Sequence, residues 1–147
     1  MYRSTKQFSG YSCCFRQWRV QHSHCRFLHG YSVRFRVQFE GALDEHSWVC
    51  DFGSFGRNGV KEKLAYYFDH TTLVTKDDPE RARFEALEAA GLIQLRLVET
   101  VSIEAFAKLV FEEIDELIQK DPMHKNRVRV VEVECIENHT NSAIYSS

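Results

Sequence analysis

The sequence predicts an α+β fold for residues 1–147, an antiparallel sheet with helices packed on one face. Two segments with strand patterns open the chain and two close it, whereas the middle has the apolar spacing of helices. Strand pairs that flank a helical middle are typical of the α+β class. A length of 147 residues is usual for a single domain and allows a core of its own.

The strongest strand signal lies at 31–39, where five apolar or aromatic residues alternate with Ser, Arg, Arg and Gln. This period of two indicates one buried face and one polar, basic face. Residues 11–20 are predicted as the partner strand, and the connection at 21–30 carries a cluster of His and Cys residues. A short apolar run at 47–52 is predicted as a further strand.

Three helices are predicted, over about 57–68, 79–90 and 103–119. Apolar residues recur on one face of the first and the third, whereas Asp78 as a cap and Pro79 in the first turn mark the second. Gly91 follows the second helix at the position where a left-handed residue often ends a helix. The third helix has the most complete apolar stripe, and Ser102 directly before it is a favourable N-cap.

Strand patterns return in the second half of the chain. Residues 127–135 are rich in Val and predict a strand, with a bulge at Val130–Val131 because the alternation slips there. A short final strand is predicted at 142–145, and an extended segment at 93–97 lies between the second and third helices.

Charge is distributed unevenly along the chain. Residues 1–40 hold seven Lys or Arg and one Asp or Glu, a local charge of +6, although the whole chain carries −2. A basic segment favours an anionic partner, which could be a nucleic acid, a small phosphate ester or solvent counterions. No apolar run of membrane-spanning length and no signal-peptide core is present. We therefore expect a cytoplasmic protein without a membrane segment.

The connection at 21–30 contains His22, His24, Cys25 and His29, which are residue types that bind zinc. Their spacing matches no closed structural zinc pattern, so a solvated polar loop is the alternative interpretation.

Two further patterns suggest acid–base or binding chemistry. Cys25, Asp69 and His70 supply a thiol, a carboxylate and a base, although an Asp-His pair at a helix end also acts as a cap. Glu134 lies in the Val-rich strand. A carboxylate there usually faces water or has a hydrogen-bonding partner in the protein, and the functional alternative is that it accepts two N–H groups of a planar heterocycle.

Six short segments occur in the order of one family, and the resemblance runs from residue 11 to residue 145. They are Cys25-Arg-Phe-Leu-His29-Gly30, Trp48-Val-Cys-Asp51-Phe52, Phe68-Asp69-His70-Thr-Thr-Leu73, Ser102-Ile-Glu104, Val133-Glu134-Cys135 and Ala143-Ile-Tyr145. With them the chain resembles the 6-pyruvoyl-tetrahydropterin synthases and the bacterial 6-carboxy-tetrahydropterin synthases of queuosine biosynthesis.

The resemblance implies a tunnelling fold (T-fold), in which a four-stranded antiparallel sheet carries helices on one face. It also implies a homo-oligomer, a hexamer made as a dimer of trimers, with active sites between subunits. Residues 76–101 replace a shorter loop of the family and are expected to be an insertion that adds the 79–90 helix.

In the family, a carbon–oxygen lyase acts on 7,8-dihydroneopterin triphosphate, and zinc binds the hydroxyl groups of the substrate side chain. The resemblance assigns the following residues: Cys25, Asp69 and His70 to proton transfer, Glu134 to the pterin ring, and Ser102 and Glu104 to other substrate contacts.

The zinc ligands of the family are three histidines, and their positions fall on Phe15, His29 and Tyr31 in this sequence. His29 alone retains a ligand, whereas a catalytic zinc normally has three protein ligands. His22 and His24 are the candidates to replace the two missing histidines.

Three function classes follow. The first is a pterin-converting lyase, either with zinc on His22, His24 and His29 or with metal-free chemistry. The second is a catalytically altered relative that binds a pterin or purine-like ligand or serves as a partner subunit. The third is a nucleic-acid module, which is suggested by arginines between aromatic residues. No RNP-like signature accompanies them. We therefore expect a pterin triphosphate, and not a nucleic acid, as the partner. The arginines of that pattern are Arg16, Arg19, Arg34 and Arg36.

Overall fold

The computed structural model describes residues 1–147 and contains six strands and three α-helices. The strands are β1 (Tyr2–Phe15), β2 (His29–Gly41), β3 (Thr71–Thr75), β4 (Leu95–Val98), β5 (Val128–Ile136) and β6 (Ser142–Ser146). The helices are α1 (Val60–Phe68), α2 (Arg81–Ala89) and α3 (Ile103–Lys120), and a single 3-10 turn spans His24–Arg26.

The strands form one sheet in the order β4-β3-β1-β2-β5-β6. The four strands β1, β2, β5 and β6 pair antiparallel with one another in this order, as predicted. Two strands that were not expected to join this sheet, β3 and β4, extend it in parallel beyond β1. The α+β class is confirmed, with a mixed sheet of six strands instead of four antiparallel ones.

The short strand predicted at 47–52 is wrong. That segment is a loop in which one carboxylate oxygen of Asp44 accepts the backbone N–H groups of His46 (2.8 Å) and Trp48 (3.0 Å). Ser47 adopts a positive φ of 67° in the same turn. Asp44 therefore turns the chain where the apolar composition suggested an extended segment.

The main core lies between the sheet and the helices α1 and α3. Ser102 begins α3 as predicted, because its hydroxyl accepts the backbone N–H of Ala105 at 3.0 Å. The helix buries an apolar stripe that includes Phe106 and Ile114 against β5, β6 and α1. No helix of the protein is both long enough and apolar enough to cross a membrane.

The helix α2 packs on the opposite face of the sheet from α1 and α3. Leu73 belongs to the main core, whereas the next residue, Val74, packs with Phe84 of α2 and Leu95 of β4. Successive strand residues point to opposite faces, so α2 covers the second face over β3 and β4. The expectation that every helix lies on one face is therefore wrong for α2.

The face of the sheet that α1 and α3 leave uncovered is called the open face below. Its central part on β1, β2 and β5 carries alternating polar side chains, as the period-two pattern predicted. The predicted bulge is also present, since Phe39 pairs with Val130 and Gln38 with Glu132, which leaves Val131 unpaired. The bulge restores the alternation, so that Glu132 and Glu134 both lie on the open face.

Candidate functional site

Cys25 lies in the loop between β1 and β2, in the middle of the 3-10 turn. The hydroxyl of Ser23 accepts the backbone N–H of Cys25 at 3.2 Å. The backbone N–H of Gln17 donates to the carbonyl oxygen of Cys25 at 2.7 Å. These two bonds fix the backbone on both sides of the thiol, which is half-buried.

Asp69 and His70 follow the end of α1. The Nδ1 atom of His70 and Oδ1 of Asp69 are hydrogen-bonded at 2.7 Å, and the imidazole is 80% exposed. The histidine backbone adopts a left-handed φ of 57°, and its N–H donates to the carbonyl oxygen of Ser12 in β1 at 2.6 Å. The carboxylate therefore engages one ring nitrogen, while Nε2 is free to exchange a proton with a ligand.

His70 borders an open concavity of about 540 Å³ on the open face. The same concavity is lined by Cys14 and by Leu92 and Ile93, which follow α2. Cys25 does not line it. Cys13 and Cys14 both do, and the half-buried Cys14 has its sulphur 3.2 Å from the hydroxyl oxygen of Thr72.

Glu134 lies on β5 opposite Arg36 of β2. One carboxylate oxygen is 3.7 Å from the guanidinium of Arg36, and the other accepts a hydrogen bond from the hydroxyl of Ser142 at 2.7 Å. The side chain is partly exposed on the open face. It therefore has acceptor capacity left for an N–H donor beyond its two protein partners.

The structure does not join all the predicted catalytic and binding residues within one chain. His70 lies at the start of β3, and Glu134 lies on β5, with β1 and β2 between them. Three strand spacings separate the two residues by at least about 14 Å. A site that contains both would need residues from a second copy of the chain, as the family resemblance implies.

The three positions assigned to zinc ligands lie together and form a cluster of aromatic rings, called the ring cluster below. The ring centroids of Phe15 and His29 are 5.1 Å apart, those of His29 and Tyr31 are 5.2 Å apart, and those of Phe15 and Tyr31 are 5.6 Å apart. Burial first, then the nearby Glu137 carboxylate, raise the pKa of Tyr31 above its ordinary value. One phenyl, one phenol and one imidazole do not fit the three-nitrogen donor set of a catalytic zinc.

The proposed substitute ligands His22 and His24 do not complete a set with His29. Both side chains are exposed in the loop before the ring cluster. No group of three or more His, Cys, Asp or Glu side chains is arranged to hold a metal ion. The zinc-dependent version of the predicted chemistry therefore has no matching donor set in this chain.

The two other residues assigned to the substrate lie at the start of α3. The hydroxyl oxygen of Ser102 is used as the N-cap of the helix. Glu104 is exposed in the first turn, where a negative charge favours the helix dipole. The structure thus gives both residues a structural role, and their contact with a substrate stays a prediction.

The five cysteines are free thiols of two kinds. Burial raises the pKa of Cys13 to about 12 and that of Cys50 to about 11, and it raises the pKa of Cys135 further. These three thiols are protonated at neutral pH. Cys14 and Cys25 are half-buried and are the two thiols that a ligand can reach.

Carboxylates neutralise much of the basic N-terminal segment. Of its seven cationic side chains, Arg3, Arg16, Arg19 and Arg36 form ion pairs with Glu40, Asp78, Asp77 and Glu134. Lys6, Arg26 and Arg34 form none. The charge of +6 therefore overstated the positive surface, and of the arginines considered for nucleic acid only Arg34 has no carboxylate partner.

Residues 4–147 match the family model described as 6-pyruvoyl tetrahydropterin synthase. The chain belongs to this family. No curated protein matches its sequence. The family match confirms the resemblance that the short segments carried.

Solved structures of the family share the fold of this chain. An uncharacterised protein of Wolinella succinogenes is similar with a TM-score of 0.78 and 21% identity, covering 99% of this chain and 98% of that one. The 6-pyruvoyl tetrahydropterin synthase of Caenorhabditis elegans gives 0.65 and 16%, covering 100% and 97%. A catalytic-residue mutant of the Plasmodium vivax synthase gives 0.66 and 13%, covering 100% and 99%. At these identities the similarity shows the fold.

Sequence reasoning missed two features of this region. Cys14 is not among the residues that the sequence analysis singled out, although its position one residue after the core residue Cys13 places it on the opposite face, beside the concavity that His70 borders. The packing of Phe15, His29 and Tyr31 as three rings was also not predicted. The signal that could have revealed it is the place of these aromatic residues at the end of β1 and the start of β2, which pair with each other.

Proposed function

We propose that the chain is a pterin-converting carbon–oxygen lyase that acts on 7,8-dihydroneopterin triphosphate or a closely related pterin. The observation that carries the proposal is the Asp69–His70 pair, hydrogen-bonded at 2.7 Å with its imidazole exposed, in a chain whose residues 4–147 match this enzyme family. An exposed imidazole held by a carboxylate is suited to general acid–base chemistry near neutral pH.

The reaction needs a proton to leave a carbon atom while the neighbouring C–O bond breaks and its electron pair departs with the triphosphate. Nε2 of His70 accepts or returns one proton, and Asp69 stabilises the imidazolium that forms. Ser23 and Gln17 hold the backbone of Cys25. Its thiol exchanges a second proton on the substrate side chain.

Substrate recognition divides between a carboxylate and a cation. Glu134 accepts N–H groups of the pterin ring, and Ser142 keeps one carboxylate oxygen in place. Arg26, next to Cys25, has no carboxylate partner and donates to the carbonyl oxygen of Gln21 at 2.7 Å. Its remaining N–H groups are available for the triphosphate.

The active unit is a homo-oligomer, for which we propose the hexamer of two trimers. The separation of at least about 14 Å between His70 and Glu134 across the sheet supports this, since a site between two copies would take His70 from one chain and Glu134 from the other. Native mass spectrometry would give six copies of the 17.2 kDa chain. A monomer with full turnover would contradict the shared site.

A second candidate function is a catalytically altered family member that binds a pterin or purine-like ligand or serves as a partner subunit. Phe15 and Tyr31 at the positions of two metal ligands favour it, because neither ring supplies an imidazole nitrogen. Binding through Glu134 would survive that loss, whereas a zinc-dependent reaction would not.

The deciding experiment incubates the purified protein with 7,8-dihydroneopterin triphosphate and follows triphosphate release and pterin products by chromatography and mass spectrometry. Release that requires His70 supports the lyase. Binding of neopterin, measured by fluorescence, without any turnover supports the altered member. Neither turnover nor binding would reject both pterin functions.

A further inference from the structure

The ring cluster has the spacing of a three-histidine metal site. At a zinc–nitrogen distance of about 2.0–2.1 Å and tetrahedral angles, the centroids of three coordinating imidazoles lie about 5 Å apart. The three centroid distances of the ring cluster, 5.1, 5.2 and 5.6 Å, are close to that value. The backbone therefore places three side chains around one point, and the chemistry of the rings decides whether a metal can bind there.

His29 is oriented as a metal ligand would be. Its Nδ1 lies 2.6 Å from the carbonyl oxygen of Phe27 and donates to it. Histidines that bind metals commonly donate their second ring N–H in this way, which leaves the other nitrogen free. His29 thus retains its supporting contact although the other two ligand positions are filled by Phe15 and Tyr31.

Phe15 joins the ring cluster to the aromatic core. It is 2% exposed and meets Phe106 of α3 edge to face at 5.2 Å, and Phe106 in turn meets Phe68 at 5.4 Å. A phenyl ring gains from this packing, whereas an imidazole would bring a polar nitrogen into it. Aromatic packing of Phe15 therefore stabilises the fold at this point, where metal coordination would do so in a three-histidine site.

We propose that the ring cluster is a metal-free counterpart of a three-histidine zinc site. The native chain binds no zinc at this point, and the two substitutions F15H and Y31H together with His29 create a zinc site. This inference concerns the donor set and the backbone geometry, so it holds whether or not the proposed pterin chemistry is correct.

The test measures zinc content by elemental analysis. Each protein is purified without chelator, incubated with equimolar zinc and passed through a desalting column. We expect less than about 0.1 zinc per chain for the native protein and about one for the F15H/Y31H variant. The matched control F15H/Y31H/H29A returns to the native value, since it removes the third nitrogen.

Thermal unfolding gives a second measurement on the same proteins. Zinc that binds only the folded state raises the Tm of the F15H/Y31H variant and leaves the Tm of the native protein unchanged. If the double variant is unstable without metal, refolding it with zinc present gives the same comparison.

Three results would overturn the proposal. Native protein that retains about one zinc per chain, and still retains it in the H22A/H24A variant, contradicts the metal-free state of the ring cluster. A folded double variant that retains no more zinc than the native chain contradicts the geometric argument. So does zinc retention by the triple variant.

Discussion

The Asp69 carboxylate lies 2.7 Å from Nδ1 of the adjacent His70, and the backbone of that histidine is held in a left-handed conformation. The N–H of His70 donates to the carbonyl oxygen of Ser12, and its own carbonyl oxygen accepts a hydrogen bond from Gln94 at 3.1 Å. Strand β1 and the segment before β4 thus hold the backbone of His70 on both sides. These contacts hold the pair in place directly after the end of α1.

Replacement of His70 by Asn tests the acid–base role while keeping the backbone. Asn tolerates the left-handed region better than Ala, so H70N is expected to fold with a Tm close to the native value. Turnover should fall about 10²- to 10⁴-fold, the usual contribution of a general acid or base. Steady-state kinetics, with circular dichroism as the folding control, would show it. Unchanged kcat in H70N would reject the role.

The two reachable thiols can be compared directly. We expect C25A to lower turnover by at least about 10²-fold and C14A to leave it nearly unchanged. Maleimide labelling of the native protein should modify at most two thiols, and all five after denaturation, because Cys13, Cys50 and Cys135 are buried. An inactive C14A beside an active C25A would assign the chemistry to Cys14 in the concavity.

Glu134 and Glu132 form a matched pair on the open face, two residues apart on β5. E134Q removes one charged acceptor from the proposed pterin site and is expected to raise the neopterin Kd about 10- to 100-fold. E132Q should leave the Kd unchanged, because Glu132 makes no ion pair or side-chain hydrogen bond. Fluorescence titration measures both, and equal effects would contradict the anchoring role.

The ion pair of Arg16 and Asp78 is expected to control acid stability. The two carboxylate oxygens of Asp78 accept guanidinium N–H groups of Arg16 at 2.7 and 2.9 Å, and the Asp78 side chain is 1% exposed. Burial raises the pKa of Asp78, but hydrogen bonds from Arg16 and from the backbone N–H of Glu80 outweigh it, and the pKa lies below its ordinary value.

A carboxyl group whose pKa is lowered by folding stabilises the protein above its unfolded pKa, about 3.9 for Asp, and loses that contribution as the pH falls through the folded value. D78N should therefore lower the unfolding free energy by about 1–3 kcal/mol at neutral pH, because the Arg16 guanidinium loses its charged acceptor, and the difference should shrink as the pH falls below about 4. Urea unfolding at pH 7 and pH 3.5 measures it. The control D77N changes an exposed pair and should have little effect. A pH-independent difference for D78N would contradict the assignment.

The sequence by itself determined the elements with a complete local pattern. Alternation predicted β2, the Val-rich pattern predicted β5 with its bulge at Val131, and the apolar stripe with Ser102 predicted α3. It did not predict β3, because all five residues from Thr71 to Thr75 are buried. A strand covered on both faces has no polar alternation to recognise.

The site residues divided in the same way. Short motifs pointed to the adjacent Asp69 and His70, which the structure shows to be hydrogen-bonded, and to the family, since adjacent residues and ordered segments can be recognised without coordinates. Only the tertiary structure decided that four of the seven N-terminal cations are paired with carboxylates and that Phe15, His29 and Tyr31 meet as three rings. Those contacts join residues from different strands and loops. They depend on register and packing, which a local pattern does not contain.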